Sequence, residues 1–272
     1  MPPVTHEGNW RDSLADVVWY HTLELPGGIV TPGEYDLRGV PDQIPFPSSL
    51  AGQRCLDVGV RDGFWAFTME QRGAAEVLGI DVQDERRLDW PYPVPDLQPA
   101  RDDLQSRRSA FQTAAAALES SVEHRDLSVY DLDPDDVGEF DFVFVGTILL
   151  HLRDPVGALA AIRRVCRGYV LINDVVSIAL TALRPKSPTA ALMTLAEPFW
   201  WIPNVAALHR YARSAGFEVT SSSRRPYLIR NGPGMRHPPI RRRQAAGKVH
   251  RQLLMRRGSP HAWLTARPLR ND

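Results

Sequence analysis

A short apolar stretch followed by two glycines is the part of this 272-residue chain best suited to holding a small molecule. It reads CLDVGVRDGFWAF over residues 55–67, with Asp57 ending the apolar run and Gly59 and Gly63 following it. Glycines after the first strand of a parallel sheet let the backbone approach a cofactor. Arg61 replaces the middle glycine of a G-x-G-x-x-G loop, so a cofactor without a pyrophosphate fits better than a dinucleotide.

A second acid stands where the ribose of such a cofactor is expected. Asp81 ends the apolar stretch EVLGIDV, 24 residues after Asp57. In nucleotide-binding sheets, a carboxylate at the end of the second strand accepts hydrogen bonds from the ribose hydroxyls. The alternative is a plain strand–turn–helix corner that binds nothing.

Alternating strands and helices must position these residues. Five stretches have the apolar character of buried strands: RCLDVGV, EVLGIDV, SVEHRDL, FDFVFVGTI and YVLINDV. Helices are predicted at FWAFTMEQRGA, DPVGALAAIRRVC and PNVAALHRYARSAG, and FEVTSSS is a further strand. The second helix has Asp154 as N-cap and Pro155 at its first position. This pattern predicts a doubly wound α/β fold, with a mostly parallel sheet of the Rossmann-like type covered on both faces.

The chain divides into three predicted parts. Residues 1–50 form an N-terminal helix and lid segment, and residues 51–223 form the cofactor-binding domain. An insertion at 176–203 follows the fifth strand and ends in an aromatic cluster, where such folds build substrate pockets. Residues 224–272 form a basic C-terminal extension.

The formal net charge of zero hides an asymmetry. From residue 224 onward there are thirteen Lys and Arg residues against a single acid, Asp272. Such a segment either binds a polyanion or packs as a solvated tail on an acidic body.

The amino-acid composition and the pattern of apolar runs predict a cytoplasmic protein. The N-terminus is polar, no apolar run is long enough to span a bilayer, and no association with a membrane is expected. Cys55 and Cys166 have neither metal nor redox spacing, which suits a reducing compartment. The histidines lack ligand spacing, so no metal site is expected.

The motifs LDVGVRDGFWAF, LGIDV, RDLSVYDL and FDFVFVGTILLHLRDP resemble, in order and spacing, those of class I S-adenosylmethionine-dependent methyltransferases. The segments GTILLHLRDPVGAL, FWWIPNVAALHRYARSAGFEV and WYHTLELPGGIVTPGEYDLRG are similar to the family of tRNA wobble-uridine (5-oxyacetic acid/5-methoxyuridine-type) carboxymethyltransferases and their methyltransferase relatives. The resemblance covers most of residues 17–222. It implies the class I methyltransferase fold, S-adenosyl-L-methionine as cofactor, and methyl transfer.

The resemblance also implies eight residues that contact the cofactor. They are Tyr35, Asp57, Gly59, Gly63, Asp81, Asp126, Leu127 and Gly146. The first loop would line the methionine part, and Asp81 would bind the ribose hydroxyls. Asp126 and Leu127 would bracket the adenine, Gly146 would pass close to the cofactor, and Tyr35 would close over it.

Two positions depart from the carboxymethyl-transferring members. Those members recognise the extra carboxylate of their donor partly with a Lys and a Tyr, where this chain has His21 and Leu150. Leu150 donates no hydrogen bond, so a carboxylate facing it would be poorly solvated. The sequence therefore predicts the ordinary donor.

His151 and His21 are the candidate catalytic residues. His151 follows the fourth strand, where side chains face the transferred methyl, and an imidazole with a pKa of about 6.5 can deprotonate a hydroxyl or an amine. The alternative is a histidine that only hydrogen-bonds backbone or cofactor, and the same two interpretations apply to His21.

Three functions remain open at this level. The first is methyl transfer to an oxygen or nitrogen of a small molecule, which the apolar insertion at 176–203 favours. The second is modification of the tRNA wobble uridine, by methyl or carboxymethyl transfer, with the basic extension on phosphates. The third is a binding module without catalysis, which the intact Asp57 and Asp81 disfavour. Homo-oligomerisation is left open.

Overall fold

The computed structural model describes residues 10–94, 96–193, 199–236 and 256–269. The strands are β1 (Glu24–Leu25), β2 (Ile29–Val30), β3 (Tyr35–Asp36), β4 (Arg54–Val58), β5 (Glu76–Asp81), β6 (Glu123–Asp126), β7 (Phe140–Gly146), β8 (Cys166–Val175), β9 (Ala190–Leu192), β10 (Trp201–Pro203), β11 (Phe217–Ser222), β12 (Tyr227–Asn231) and β13 (Ser259–Pro268). The helices are α1 (Trp10–Ser13), α2 (Phe64–Gln71), α3 (Gln98–Leu118), α4 (Pro134–Val137), α5 (Pro155–Val165), α6 (Ile178–Leu183) and α7 (Val205–Ser214). Short 3₁₀ turns lie at Leu14–Asp16, Glu85–Arg87, Val129–Asp131 and Leu149–His151.

Nine strands form the central sheet, in the order β3-β12-β13-β8-β7-β4-β5-β6, with β11 also paired to β13. The five strands predicted from the apolar runs, β4 to β8, pair in parallel. β13 is antiparallel to β8, β11 and β12. The predicted doubly wound, mostly parallel sheet is confirmed.

The strands have two buried faces because neighbouring side chains point to opposite sides. Phe142 and Phe144 pack with α2, α3 and the N-terminal segment. Val143 and Val145 pack with α5 and α7. No helix among the described residues is long and apolar enough to cross a membrane.

Capping side chains determine where α5 and α7 begin. The side chain of Asp154 accepts the Gly157 N–H at 2.8 Å, as expected for the N-cap of α5. Asn204 does the same for Ala207 at the start of α7. The sequence did not predict the 21-residue α3, because its first half is polar and follows a Pro-rich stretch.

The last strand lies inside the sheet rather than in an extension. β13 pairs with β8 over residues 261–266, and the side chains of Ala262, Leu264 and Ala266 are fully buried. The expected boundary after residue 223 therefore does not hold for β12 and β13. The sequence hid this because β13 has no continuous Val/Ile/Leu run, and its partners are distant in the chain.

Candidate active site

A cavity of about 950 Å³ opens at the carboxyl ends of the parallel strands. Four of its lining residues each lie at or directly after the end of one strand, namely Gly59, Asp81, Leu127 and Gly146. Ligands of open α/β sheets bind at this edge, where the loops that follow the strands converge. Its volume is near the upper limit of about 1,000 Å³ for small-molecule sites.

The structure brings together most of the residues that the sequence singled out. Tyr35, His21 and His151 line the same cavity as the four strand-end residues. Asp57, Gly63 and Asp126 lie beside the lining rather than in it. Asp126 accepts the backbone N–H of Gln83 at 2.9 Å, and Gly63 precedes α2 with a φ of 93°.

Asp81 is the acid that the cavity exposes at the end of β5. Its Oδ2 lies 3.6 Å from Nη1 of Arg107 on α3, and 13% of its side chain is exposed. Arg107 also pairs with Asp103 one turn earlier on the same helix. Helix α3, which the sequence did not predict, thus provides the cation that faces Asp81, the residue expected to bind the ribose.

Asp57 lies beneath the loop, completely buried, and its Oδ2 has no hydrogen-bond partner. Burial raises its pKa to about 8, the Ala66 N–H lowers it, and the charges of Asp81 and Asp62 raise it. Burial therefore favours the protonated form of this carboxyl group.

His21 is held by Asp62, a residue that sequence reasoning did not assign. The Nδ1 of His21 bonds Oδ1 of Asp62, while Oδ2 accepts the backbone N–H groups of Tyr20 at 3.0 Å and of His21 at 2.7 Å. Burial raises the pKa of Asp62, but the charge and hydrogen bonds of His21 hold it below its usual value. The only signal in the sequence was the Asp62-Gly63 pair within the loop, and that pair indicates a turn equally well.

His151 lies in the 3₁₀ turn that follows β7. Its ring centroid is 4.7 Å from that of Phe199, in the predicted insertion. The lining of the cavity is mostly apolar, and Leu150, Val176, Ile178, Met193 and Ile202 belong to it.

The final two strands contribute polar residues that sequence reasoning missed. The Nε2 of His261 lies 3.0 Å from Oγ1 of Thr147, and its Nδ1 lies 2.9 Å from the carbonyl of Ser259. Burial lowers the pKa of His261 to about 4, so the ring is neutral and accepts the Thr147 hydroxyl. Tyr227 donates to Oδ1 of Asn173 at 2.7 Å.

Residues 34–222 match the family model of a methyltransferase domain. The chain belongs to this methyltransferase family. The predicted resemblance to methyltransferases is thereby confirmed.

Two curated proteins illustrate the range of the methyltransferase relatives. The chain is 30% identical to the tRNA U34 carboxymethyltransferase of Pseudomonas aeruginosa over 173 residues, 62% of this chain and 46% of the relative. It is 28% identical to the ubiquinone biosynthesis O-methyltransferase of Neisseria meningitidis over 198 residues, 69% of this chain and 73% of the relative. The chain thus spans about half the length of the first relative.

Among solved structures, the cyclase SpnF aligns over 96% of this chain and 92% of its own length, with a TM-score of 0.57 and 17% identity. This likeness shows a shared fold. Since the same fold carries different chemistries, the function of this methyltransferase domain must be argued from its site.

Proposed function

We propose that the protein is an S-adenosylmethionine-dependent methyltransferase that methylates an oxygen or nitrogen of a small-molecule acceptor. The observation that carries the proposal is one cavity that is lined by Gly59, Asp81 and Gly146 from the strand ends and is otherwise mostly apolar. The strand-end residues suit a nucleoside cofactor, and the apolar lining suits an acceptor of moderate size and low polarity.

The residues present fit this cofactor. Gly59 has a φ of 82°, and a Cβ there would lie 2.9 Å from Cδ1 of Ile148, so glycine keeps the backbone open to the cavity. Asp81 presents a carboxylate for the ribose hydroxyls, and Leu127 and Val129 offer apolar surface for the adenine.

The cofactor, when bound, would supply a methyl group on a sulfonium, and the neutral thioether would be the leaving group. The protein then has to align the acceptor, exclude water and hold a proton. Asp62 orients His21 through Nδ1, so that in the neutral ring Nε2 would be the nitrogen that takes a proton from an acceptor hydroxyl or amine. His151, beside Phe199, is the second candidate base.

The ordinary donor is favoured over a carboxylated one. Leu150 lines the cavity and is buried, so it cannot solvate an extra carboxylate. His21 already shares its Nδ1 with the buried carboxylate of Asp62, and a second carboxylate nearby would be repelled.

A small molecule is favoured over tRNA as the acceptor because the lining of the cavity is mostly apolar. The tRNA alternative is supported by the curated relative from Pseudomonas aeruginosa. Most of the basic residues expected to contact phosphates lie outside the described residues, namely Arg241, Arg242, Arg243, Lys248 and Arg251. A cytoplasmic location is supported by two buried cysteines that form no disulfide.

The test is calorimetric binding of S-adenosylmethionine and S-adenosylhomocysteine. The change Asp81→Ala should weaken binding by about 2–3 kcal/mol, because hydrogen bonds to a charged group are lost. Asp42→Ala is the matched control, since Asp42 is exposed and is not part of the cavity lining. Absence of binding to the folded wild type, or equal affinity in Asp81→Ala, would refute the proposed cofactor site.

A further inference from the structure

Arg61 has an unusual backbone for its residue type. It occupies the middle-glycine position of the loop after β4 with a φ of 51°. This left-handed conformation costs a residue with a side chain roughly 1–2 kcal/mol relative to glycine. Glycine at this position would avoid that cost, so the side chain has to contribute something in return.

The guanidinium of Arg61 contacts Tyr20 and Asp103, but not all of its N–H donors have a hydrogen-bond partner. Its central carbon lies 3.6 Å from the centroid of the Tyr20 ring, and Nη2 lies 3.3 Å from Oδ1 of Asp103. The second distance is long for a charge-assisted hydrogen bond, which is typically about 2.7–2.9 Å. Its Nε is buried and has no hydrogen-bond partner. The group has five N–H donors, and it lines the main cavity.

Arg61 lies in the loop after β4 and shares Asp103 with Arg107 of α3. Two other arginines belong to the described lining: Arg87, which pairs with Asp126 and Asp131, and Arg107, which pairs with Asp81 and Asp103. Both therefore lie close to the proposed adenine and ribose positions at the ends of β6 and β5. The rest of the cofactor has to extend along the sheet edge to the loop after β4.

We infer that Arg61 binds the α-carboxylate of the amino-acid part of the cofactor. This inference rests on the proposed function and adds a residue to its cofactor site. Arg is suited to the task because its planar fork matches a carboxylate with two parallel hydrogen bonds. Tyr20 and Asp103 fix the plane of the guanidinium before the cofactor arrives.

A purely structural role predicts a different outcome. Arg61 also joins Tyr20 of the N-terminal segment to Asp103 of α3. If that contact were its whole purpose, its loss would weaken all nucleoside ligands equally, through the shape of the cavity.

The experiment compares two ligands that differ in the amino-acid part. Calorimetry gives the Kd of S-adenosylhomocysteine and of 5′-methylthioadenosine, which keeps adenine and ribose but has no carboxylate. In Arg61→Gln, we expect about 10- to 100-fold weaker binding of S-adenosylhomocysteine and less than a twofold change for 5′-methylthioadenosine. Arg86→Gln is the matched control, because Arg86 is exposed outside the cavity lining.

A second variant separates binding from folding. Arg61→Gly places a glycine at the residue with positive φ, so the variant should stay folded in thermal melts. Its affinity for S-adenosylhomocysteine should fall as much as that of Arg61→Gln. Equal losses for both ligands, or unchanged affinity in either variant, would overturn the assignment of Arg61. A wild type that binds neither ligand would instead overturn the proposed function, and this assignment with it.

Discussion

The carboxylate of Asp62 joins the N-terminal segment to the loop after β4 through three hydrogen bonds. It bonds the ring of His21 and accepts the backbone N–H groups of Tyr20 and His21. Asp62 is almost fully buried. The N-terminal segment and the loop therefore form one unit at the cavity, which places His21 independently of any ligand.

Removing this carboxylate should destabilise the fold. We expect Asp62→Ala to lower the free energy of unfolding by about 3–5 kcal/mol, because the ring of His21 and the N–H groups of Tyr20 and His21 lose the carboxylate that they bond. The measurement is urea unfolding at pH 7. Asp42→Ala, in an exposed pair with Arg72, is the control and should cost less than about 1 kcal/mol. Similar costs for the two variants would contradict the joining role of Asp62.

The buried Asp57 should make stability depend on pH. Its pKa is about 8 in the folded protein, against about 3.9 when unfolded. Between these values the folded state binds a proton that the unfolded state has lost, so stability falls as the pH rises from 4 to 8. From pH 5 to 8, the wild type should lose about 2 kcal/mol or more relative to Asp57→Asn. Parallel pH profiles of the two proteins would show that Asp57 is ionised when folded.

The final strand should behave as part of the core. Leu264→Ala should cost about 2–5 kcal/mol, because the Leu264 side chain on β13 is fully buried. Leu269→Ala, at a half-exposed position directly after β13, should have little effect. Equal effects in denaturant unfolding would mean that β13 does not belong to the folded domain.

The donor preference can be measured by competition binding. We expect the wild type to prefer S-adenosylmethionine over the carboxylated donor by about tenfold or more, because Leu150 leaves the extra charge unsolvated. Leu150→Tyr supplies a hydroxyl and should narrow the difference. A wild type that prefers the carboxylated donor would favour the carboxymethyl-transferring function.

Salt dependence separates the two acceptor classes. If tRNA is the acceptor, each counterion released by the basic segment adds about 0.9 to the slope of log affinity against log salt. We expect micromolar binding that does not distinguish tRNA from a random RNA, measured at two salt concentrations. Submicromolar binding at physiological salt that collapses when Arg241, Arg242 and Arg243 become Ala would contradict a small-molecule acceptor.

The sequence by itself determined the parallel sheet and the strand ends that border the cavity. Gly59 and Asp81 could be placed in advance because apolar runs mark buried strands, and the residues where these runs end lie at one edge of the sheet. The starts of α5 and α7 followed from side chains that cap their own helices within three residues.

Only the tertiary structure decided which side chains meet at that edge. His21 and Asp62 are 41 residues apart, and Thr147 and His261 are 114 residues apart. Such pairs depend on how the N-terminal segment and β13 pack against the sheet, and no local pattern encodes that choice. β13 lies inside the sheet because it pairs with β8 on one side and β11 on the other. Both partners are distant in the chain, so the sequence of β13 alone does not show that it is a central strand.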